Sequence, residues 1–328
     1  MPLQLLAFAS IVAVMLATAP AYSQLQWKLA AAYPSGNFHT ENLNVFAQEV
    51  TDTTGGKVLI KTYPNGSLFP AIMIKRAVRV GQAEIGEVLL SLHESEEPIF
   101  GIDVVPFLAT SYDEARRLWA ASRPAIERKF ASQGLVLLFA VPWPPQGLYS
   151  TRQINSVSDL QGLAWRVYND ATHRMGEILG AIPVTIQAAE LRQALETGLI
   201  DAFMNSGSTG YDVKAWDFMH YYYDIQAWIP KNITFMNKAA FDRLEIPVQQ
   251  SLLRIATNAE ARGWRTSQDK NKWYIEQLGA KGLKVLPPSD SLQAGLRQIG
   301  KRLSAEWLAK AGADAQSILD EYQGAFPK

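Results

Sequence analysis

Gln26-Trp27-Lys28-Leu29-Ala30-Ala31-Ala32-Tyr33 opens the stretch that decides the fold: a short strand, broken by Pro34-Ser35-Gly36. From His39 the apolar positions Leu43, Phe46, Ala47 and Val50 recur at helical spacing, and Gly55-Gly56 stops that helix. Lys57-Val58-Leu59-Ile60-Lys61-Thr62-Tyr63 is a β-rich run closed by the turn residues Pro64-Asn65-Gly66. A second helical stretch, Ala71 to Val80, leads through Gly81 to the strand Ile85-Gly86-Glu87-Val88-Leu89-Leu90. This β-α-β-α-β alternation, over about 65 residues, is the pattern of a parallel sheet with helices on its faces.

A similar alternation returns further along. Leu135–Val141 reads as a buried strand, Val157–Gly162 as a short turn-helix and Leu163–Val167 as a strand. Ala171–Leu179 follows as a helix, Ile182–Ile186 as a strand, Ala188–Thr197 as a helix and Ile200–Met204 as a strand. Two α/β lobes in series fit a chain of 328 residues, which is long for one ordinary domain. Val248–Leu278 carries apolar residues at helical spacing without proline and reads as one long helix or two abutting ones; the tail from Ser291 to Tyr322 is also helical. No low-complexity linker separates the lobes, so chain crossings are expected to act as hinges. The expected division places residues 24–148 with about 233–273 in the first lobe, and 149–232 with about 274–328 in the second.

Upstream, Leu5–Ala19 is an apolar run of about 15 residues followed by Pro20-Ala21-Tyr22-Ser23. About 20 residues are needed to span a bilayer, so the run fits the hydrophobic core of a secretory signal over residues 1–23. It lacks the usual basic start, because Lys28 is the first basic residue. After cleavage near Gln24 the chain is expected to be exported without a membrane-spanning segment.

Composition excludes several chemistries. Thirty-one Lys and Arg balance 31 Asp and Glu, and no basic run occurs, which argues against nucleic acid as a partner. The absence of cysteine removes thiol catalysis, disulfides and Cys-ligated metals. His39, His93, His173 and His220 are scattered without metal-ligand spacing, Ser206-Gly207-Ser208-Thr209-Gly210 lacks the spacing of a serine elbow, and no glycine-rich phosphate loop follows a strand. Neither metal nor cofactor is expected. Paired catalytic carboxylates need no local spacing, so an exported carboxylate-based enzyme stays open as an alternative.

One residue carries the positive argument. In Leu160-Gln161-Gly162-Leu163-Ala164-Trp165-Arg166-Val167-Tyr168, Arg166 sits inside an apolar strand. A buried guanidinium is expensive unless paired, and its planar fork matches a carboxylate. The residues leave two partners open: an internal Asp or Glu, or the carboxylate of a ligand. Arg152, beside a turn, is a second candidate. The strand that begins at Ile200 ends in the polar Asn205 before a flexible turn, and strand ends facing a crevice are where α/β sheets bind ligands.

These segments resemble the solute-binding proteins of tripartite ATP-independent periplasmic (TRAP) transporters of the DctP type. The resemblance runs in order through Tyr63-Pro64-Asn65-Gly66-Ser67-Leu68, Asp103-Val104-Val105-Pro106-Phe107-Leu108 and Ser158-Asp159-Leu160-Gln161-Gly162-Leu163 with Arg166-Val167. It continues through Gly180-Ala181-Ile182-Pro183-Val184, Ala194–Ala202 and Met236-Asn237-Lys238. It implies a two-lobed periplasmic binding protein-like α/β fold with a ligand cleft between the lobes and a long bracing helix. It also implies a periplasmic location, small and large membrane subunits as partners, Arg166 as carboxylate clamp and Asn205 as a helper.

Departures from the family pattern point to the ligand. Phe69-Pro70-Ala71 and Val88-Leu89-Leu90 stand where polar contacts are common, and Asp201-Ala202-Phe203-Met204 removes a carboxylate that helps hold a cation in some 2-oxoacid-binding relatives. Phe38, Trp143, Tyr149, Trp165, Tyr168 and Trp228 gather near the expected cleft, some of them as core. The expected ligand is therefore an organic monocarboxylate with an aromatic or otherwise apolar body, hydroxybenzoate-like for example; a 2-oxoacid or dicarboxylate is the alternative. Arg166, Arg152 and Asn205 would hold the carboxylate, with Trp143, Tyr168 and Trp228 nearby, while Asn37, Phe38, His39, Phe69 and Leu89 close from the first lobe. A ligand-sensing role beside a membrane receptor remains a further possibility.

Overall fold

The computed structural model describes residues 24–324, and the expected signal segment lies outside them. The chain begins as the sequence pattern requires: β1 (Leu25–Ala31), α1 (Phe38–Thr53), β2 (Val58–Tyr63), α2 (Ala71–Arg79) and β3 (Ile85–Leu89). Two 3-10 turns lead to α3 (Tyr112–Ser132), whose start is fixed by a capping box between Ser111 and Glu114, and then to β4 (Leu135–Pro142). The chain next crosses into β5 (Gln146–Ser150), β6 (Ala164–Val167), α4 (Asp170–Ile178), β7 (Ile182–Thr185), α5 (Leu191–Glu196), β8 (Ala202–Ser206), α6 (Gly207–Asp212) and β9 (Tyr221–Tyr223). It returns through β10 (Lys231–Asn237) and α7 (Lys238–Asp242), and ends with α8 (Ile246–Ala280), β11 (Lys284–Leu286) and α9 (Asp290–Gly324).

Two sheets result, in the orders β2-β1-β3-β10-β4 and β11-β9-β5-β8-β6-β7. Both are mixed, which corrects the expectation of parallel sheets. β10 runs antiparallel to both β3 and β4, and β5 runs antiparallel to both β8 and β9. The parallel cores, β2-β1-β3 and β8-β6-β7, come from the segments where strands and helices alternate in sequence. The antiparallel strands are those that carry the chain between the lobes.

α8 is one continuous helix of 35 residues, about 50 Å long at 1.5 Å per residue. Leu252, Ile255, Ala256 and Ala259 pack in a first-lobe core, while Leu278 packs in a second-lobe core with Tyr149, Phe203 and Tyr222. It thus ties the two lobes together. α9 does the same with a break: Leu292, Leu296, Ile299 and Leu303 pack against the second lobe, whereas Trp307, Ala315, Ile318, Leu319 and Tyr322 pack in the first. α9 thus contributes to the cores of both lobes. Gly312, at φ 64° and ψ −145°, interrupts the helix within its first-lobe part, between Trp307 and Ala315, in a conformation that favours glycine.

Candidate functional site

Arg166 lies in β6 between Trp165 and Val167, both of which point into the second lobe's core. Period-two alternation sends the arginine to the opposite face. α4 packs so closely on this strand that a Cβ at Gly176 would come within 2.8 Å of Trp165 Cδ1. Arg166 is 3% exposed. Its Nε donates to the Ile186 carbonyl at 3.0 Å, its Nη1 donates to Asn205 Oδ1, and it lies 4.8 Å from the Tyr168 ring centroid. Among the described residues no carboxylate pairs with it, and Nη2 has no hydrogen-bond acceptor. Burial lowers its pKa to about 10, so it remains charged at neutral pH.

That unpaired cation faces a cavity of about 290 Å³. The carboxyl ends of strands from both sheets converge there: Tyr33 after β1, Leu89 in β3, Tyr168 after β6, Gln187 after β7 and Asn205 in β8. Trp143, at the crossing from β4 to β5, forms a wall with Leu89, Leu92 and Tyr168. Asn205 is held in register opposite Gly147, and its Nδ2 reaches Gln146 Oε1 at 3.4 Å while Gln146 donates to the Pro144 carbonyl at 2.8 Å. A second arginine, Arg192, also lines the cavity, but it is engaged with Glu196 at 2.8 Å and with the Val213 carbonyl at 2.9 Å.

Of the residues expected at the site, the fold brings together Arg166, Asn205, Leu89, Trp143 and Tyr168. Phe38 and His39 are one layer back: their rings lie 5.7 and 4.3 Å from that of Trp143, which separates them from the cavity. Phe69 is half-buried against the first lobe's core, and Trp228 is buried in that of the second. Tyr149 and Trp165 are likewise core. Arg152 is elsewhere: it is exposed and donates to the Asp159 carbonyl at 2.6 Å, serving the turn before β6. Asn205 is the penultimate residue of β8, and the flexible turn expected next is a helix, α6, capped by Ser206.

Sequence reasoning missed Tyr33, Gln146, Thr209 and Asp212, all of which line the cavity. Asp212 ends α6, and its Oδ2 accepts from Asn37 Nδ2 of the first lobe at 2.6 Å. Burial raises this carboxyl to about 6, opposed by the Asn37 hydrogen bond. A second contact between the lobes runs from Asn169 Nδ2 to Ser91 Oγ at 2.8 Å. Behind the wall, Trp143 donates to Asn232 Oδ1 at 2.7 Å and Asn232 Nδ2 donates to Glu87. Burial pushes Glu87 up to about 8 and lowers His39, so their 3.6 Å approach is a contact between neutral groups at pH 7.

Among the described residues, no group of three or more acidic or histidine side chains is placed to hold a metal ion, and no helix is long and apolar enough to cross a membrane. The cavity between the lobes thus presents one buried guanidinium that has no carboxylate partner among the described residues, an arrangement that can hold an anion.

Comparison with known proteins agrees with this geometry. Residues 29–311 match the DctP model, described as bacterial extracellular solute-binding protein, family 7. DctP6 of Bordetella pertussis, an extracytoplasmic solute receptor whose structure binds pyroglutamic acid, is 47% identical, with a TM-score of 0.90 over 91% of this chain and 99% of that one. A marine metagenome TRAP solute-binding protein specific for pyroglutamate is 42% identical, with a TM-score of 0.90 over 92% of this chain and 99% of that one. The C4-dicarboxylate-binding protein DctB of Bacillus subtilis is 23% identical over 272 residues, 81% of this chain and 74% of that protein. The chain therefore belongs to the DctP family, family 7 of the bacterial extracellular solute-binding proteins, and is a solute-binding protein of the TRAP type.

Proposed function

We propose that this protein captures a small cyclic monocarboxylate, pyroglutamate in particular, in the cavity between its lobes. The observation that carries the reading is Arg166: a buried, charged guanidinium with no carboxylate partner among the described residues and one edge free toward the cavity. Charge-assisted hydrogen bonds from that edge would offset the cost of its burial only when a carboxylate is present. The cavity volume of about 290 Å³ is at the small end for ligand sites, which run roughly 300–1,000 Å³. Its walls are apolar at Trp143, Tyr168 and Leu89, but Asn205, Thr209 and Asp212 supply polar points that a purely apolar body would leave unused. The relatives at 47% and 42% identity supply the named acid.

In this reading Arg166 anchors the carboxylate while Asn205 orients the guanidinium through Nη1. The lobes close about the crossings near Trp143-Pro144-Pro145 and Ile229-Pro230, with α8 as brace. The ligand favours the closed form because only there do both lobes touch it. Residues 1–23 direct export to the periplasm, and the closed protein is read by the small and large membrane subunits of a TRAP transporter. A calorimetric panel of pyroglutamate, hydroxybenzoates, 2-oxoacids, dicarboxylates and sugar acids tests the reading. Pyroglutamate should bind tightest; a sugar acid or dicarboxylate binding more tightly would overturn it.

A further inference from the structure

The cavity of an anion receptor contains an anion of its own. Asp212 lines the same cavity as Arg166, and among the described residues no cation forms an ion pair with it. Its Oδ2 is taken by Asn37 Nδ2 at 2.6 Å, while Oδ1 has no hydrogen-bond partner among the described residues. Asn37 cannot readily turn its amide around, because its Oδ1 caps α1 by accepting from His39 N–H at 2.9 Å. Asn205 Oδ1 already accepts from Arg166 and Gln146 Oε1 from Asn205 Nδ2, and the further side-chain acceptors that line the cavity, among them Asn65, Gln187 and Thr209, are uncharged. Burial raises the Asp212 carboxyl to about 6, which still leaves it largely ionised at pH 7.5.

A carboxylate with a free oxygen repels a ligand that is only an anion and rewards one that also brings a hydrogen-bond donor. We propose that Asp212 Oδ1 accepts a hydrogen bond from a ring N–H of the bound acid, and that this contact selects lactam acids over acids of the same shape without a donor. The inference rests on the reading of the cavity as a site for a cyclic monocarboxylate. It assigns the two ends of the ligand to different groups: the carboxylate to Arg166, the N–H to Asp212.

The test compares pyroglutamate with 3-oxocyclopentane-1-carboxylate, in which CH₂ replaces the ring N–H and the ring size, carbonyl position and carboxylate are kept. Titration calorimetry at pH 7.5 on the wild type should show the lactam binding at least about tenfold more tightly, the scale of one hydrogen bond to a charged group. In Asp212→Asn the amide oxygen must face Asn37 Nδ2, which turns the new NH₂ toward the ligand N–H, donor against donor. The lactam should weaken by about thirtyfold or more while the cyclopentanone acid changes less than about threefold, reversing the preference. Asp212→Ala, which cannot present a donor, should bring the two ligands to near-equal affinity; unfolding midpoints of the unliganded variants check that each is folded. Equal loss for both ligands in either variant would make Asp212 a mere contact between the lobes and overturn the assignment, as would a wild type that does not distinguish the two acids. Failure of the wild type to bind either acid would instead overturn the reading of the cavity.

Discussion

Among the cations buried almost completely within the described residues, Lys231 and Arg166 differ in one respect. Lys231, at the start of β10, is 1% exposed and has Asp103 beside it: Asp103 Oδ2 accepts from the Lys231 N–H at 2.8 Å and lies 3.4 Å from Nζ. Burial lowers the lysine and raises the aspartate, and each is pulled back by the other's charge. Arg166 is buried to nearly the same degree without such a partner. A buried charge that is paired belongs to the architecture; one left unpaired beside a cavity waits for a partner from outside. Identical burial thus separates a structural from a binding role only when the counter-charge is also counted.

The largest effect should come from breaking the paired site. Asp103→Ala leaves Lys231 buried with no counter-charge and should cost about 3–5 kcal/mol of stability in urea unfolding. Replacing both partners, Asp103→Leu with Lys231→Met, should recover most of that loss, since an apolar pair is often as stable as a buried ion pair. Arg166→Ala is the converse experiment. It removes an unpaired charge, so the unliganded protein should be as stable as the wild type or more so, while pyroglutamate affinity falls by at least about a hundredfold, close to 3 kcal/mol. An Arg166→Ala protein that unfolds as easily as Asp103→Ala would erase the distinction between the two sites.

The same contrast explains what the sequence made legible. An arginine within Leu163-Ala164-Trp165-Arg166-Val167 is conspicuous in one dimension, because its neighbours declare the strand buried. Whether a carboxylate meets it is a three-dimensional fact, and Lys231 shows the other outcome with its partner 128 residues away. The alternating segments of both sheets were readable because helix and strand periods switch locally. α3, with Pro124 in its interior and Arg116, Arg117, Arg123 and Arg128 along it, was not, and neither were the antiparallel strands β5, β9 and β10. Asp212 escaped because its helix is only six residues long and Ser206–Gly210 reads as a turn. Phe38, His39 and Trp228 lie outside the cavity lining, and the sequence does not tell this, because aromatic residues lie in walls and cores alike.

A third way to bury an ionisable group is to discharge it, and Glu87 sharpens the comparison by taking that route. Burial raises its pKa from 4.5 to about 8. Between those values the native state holds a proton that the unfolded chain has released. The stability contributed is fully present below about pH 4.5 and is lost as pH rises toward 8, by roughly 1.4 kcal/mol per pH unit. Glu87→Gln keeps the shape without the proton and should flatten that part of the profile. Urea unfolding of both proteins at pH 5, 6, 7 and 8 measures the difference; parallel profiles would mean that Glu87 is ionised in the native state.

The smallest effect belongs to the neutral contacts through which the lobes meet. Ser91 Oγ, in the turn after β3, accepts from Asn169 Nδ2 at 2.8 Å, and Asn169 also caps α4 through its Oδ1 to Thr172 N–H at 2.9 Å. Ser91→Ala removes the contact between lobes and leaves the helix cap intact. One neutral hydrogen bond is worth about 1 kcal/mol, so pyroglutamate affinity should fall about fivefold. If the bond forms only on closure, the loss appears as faster ligand release at an unchanged association rate, which stopped-flow tryptophan fluorescence separates. The unliganded protein should keep its stability, because an open lobe pair lets water replace the serine. A loss of unliganded stability equal to the loss of affinity would place this contact with Asp103 and Lys231, among the parts that hold the fold together whether or not a ligand is bound.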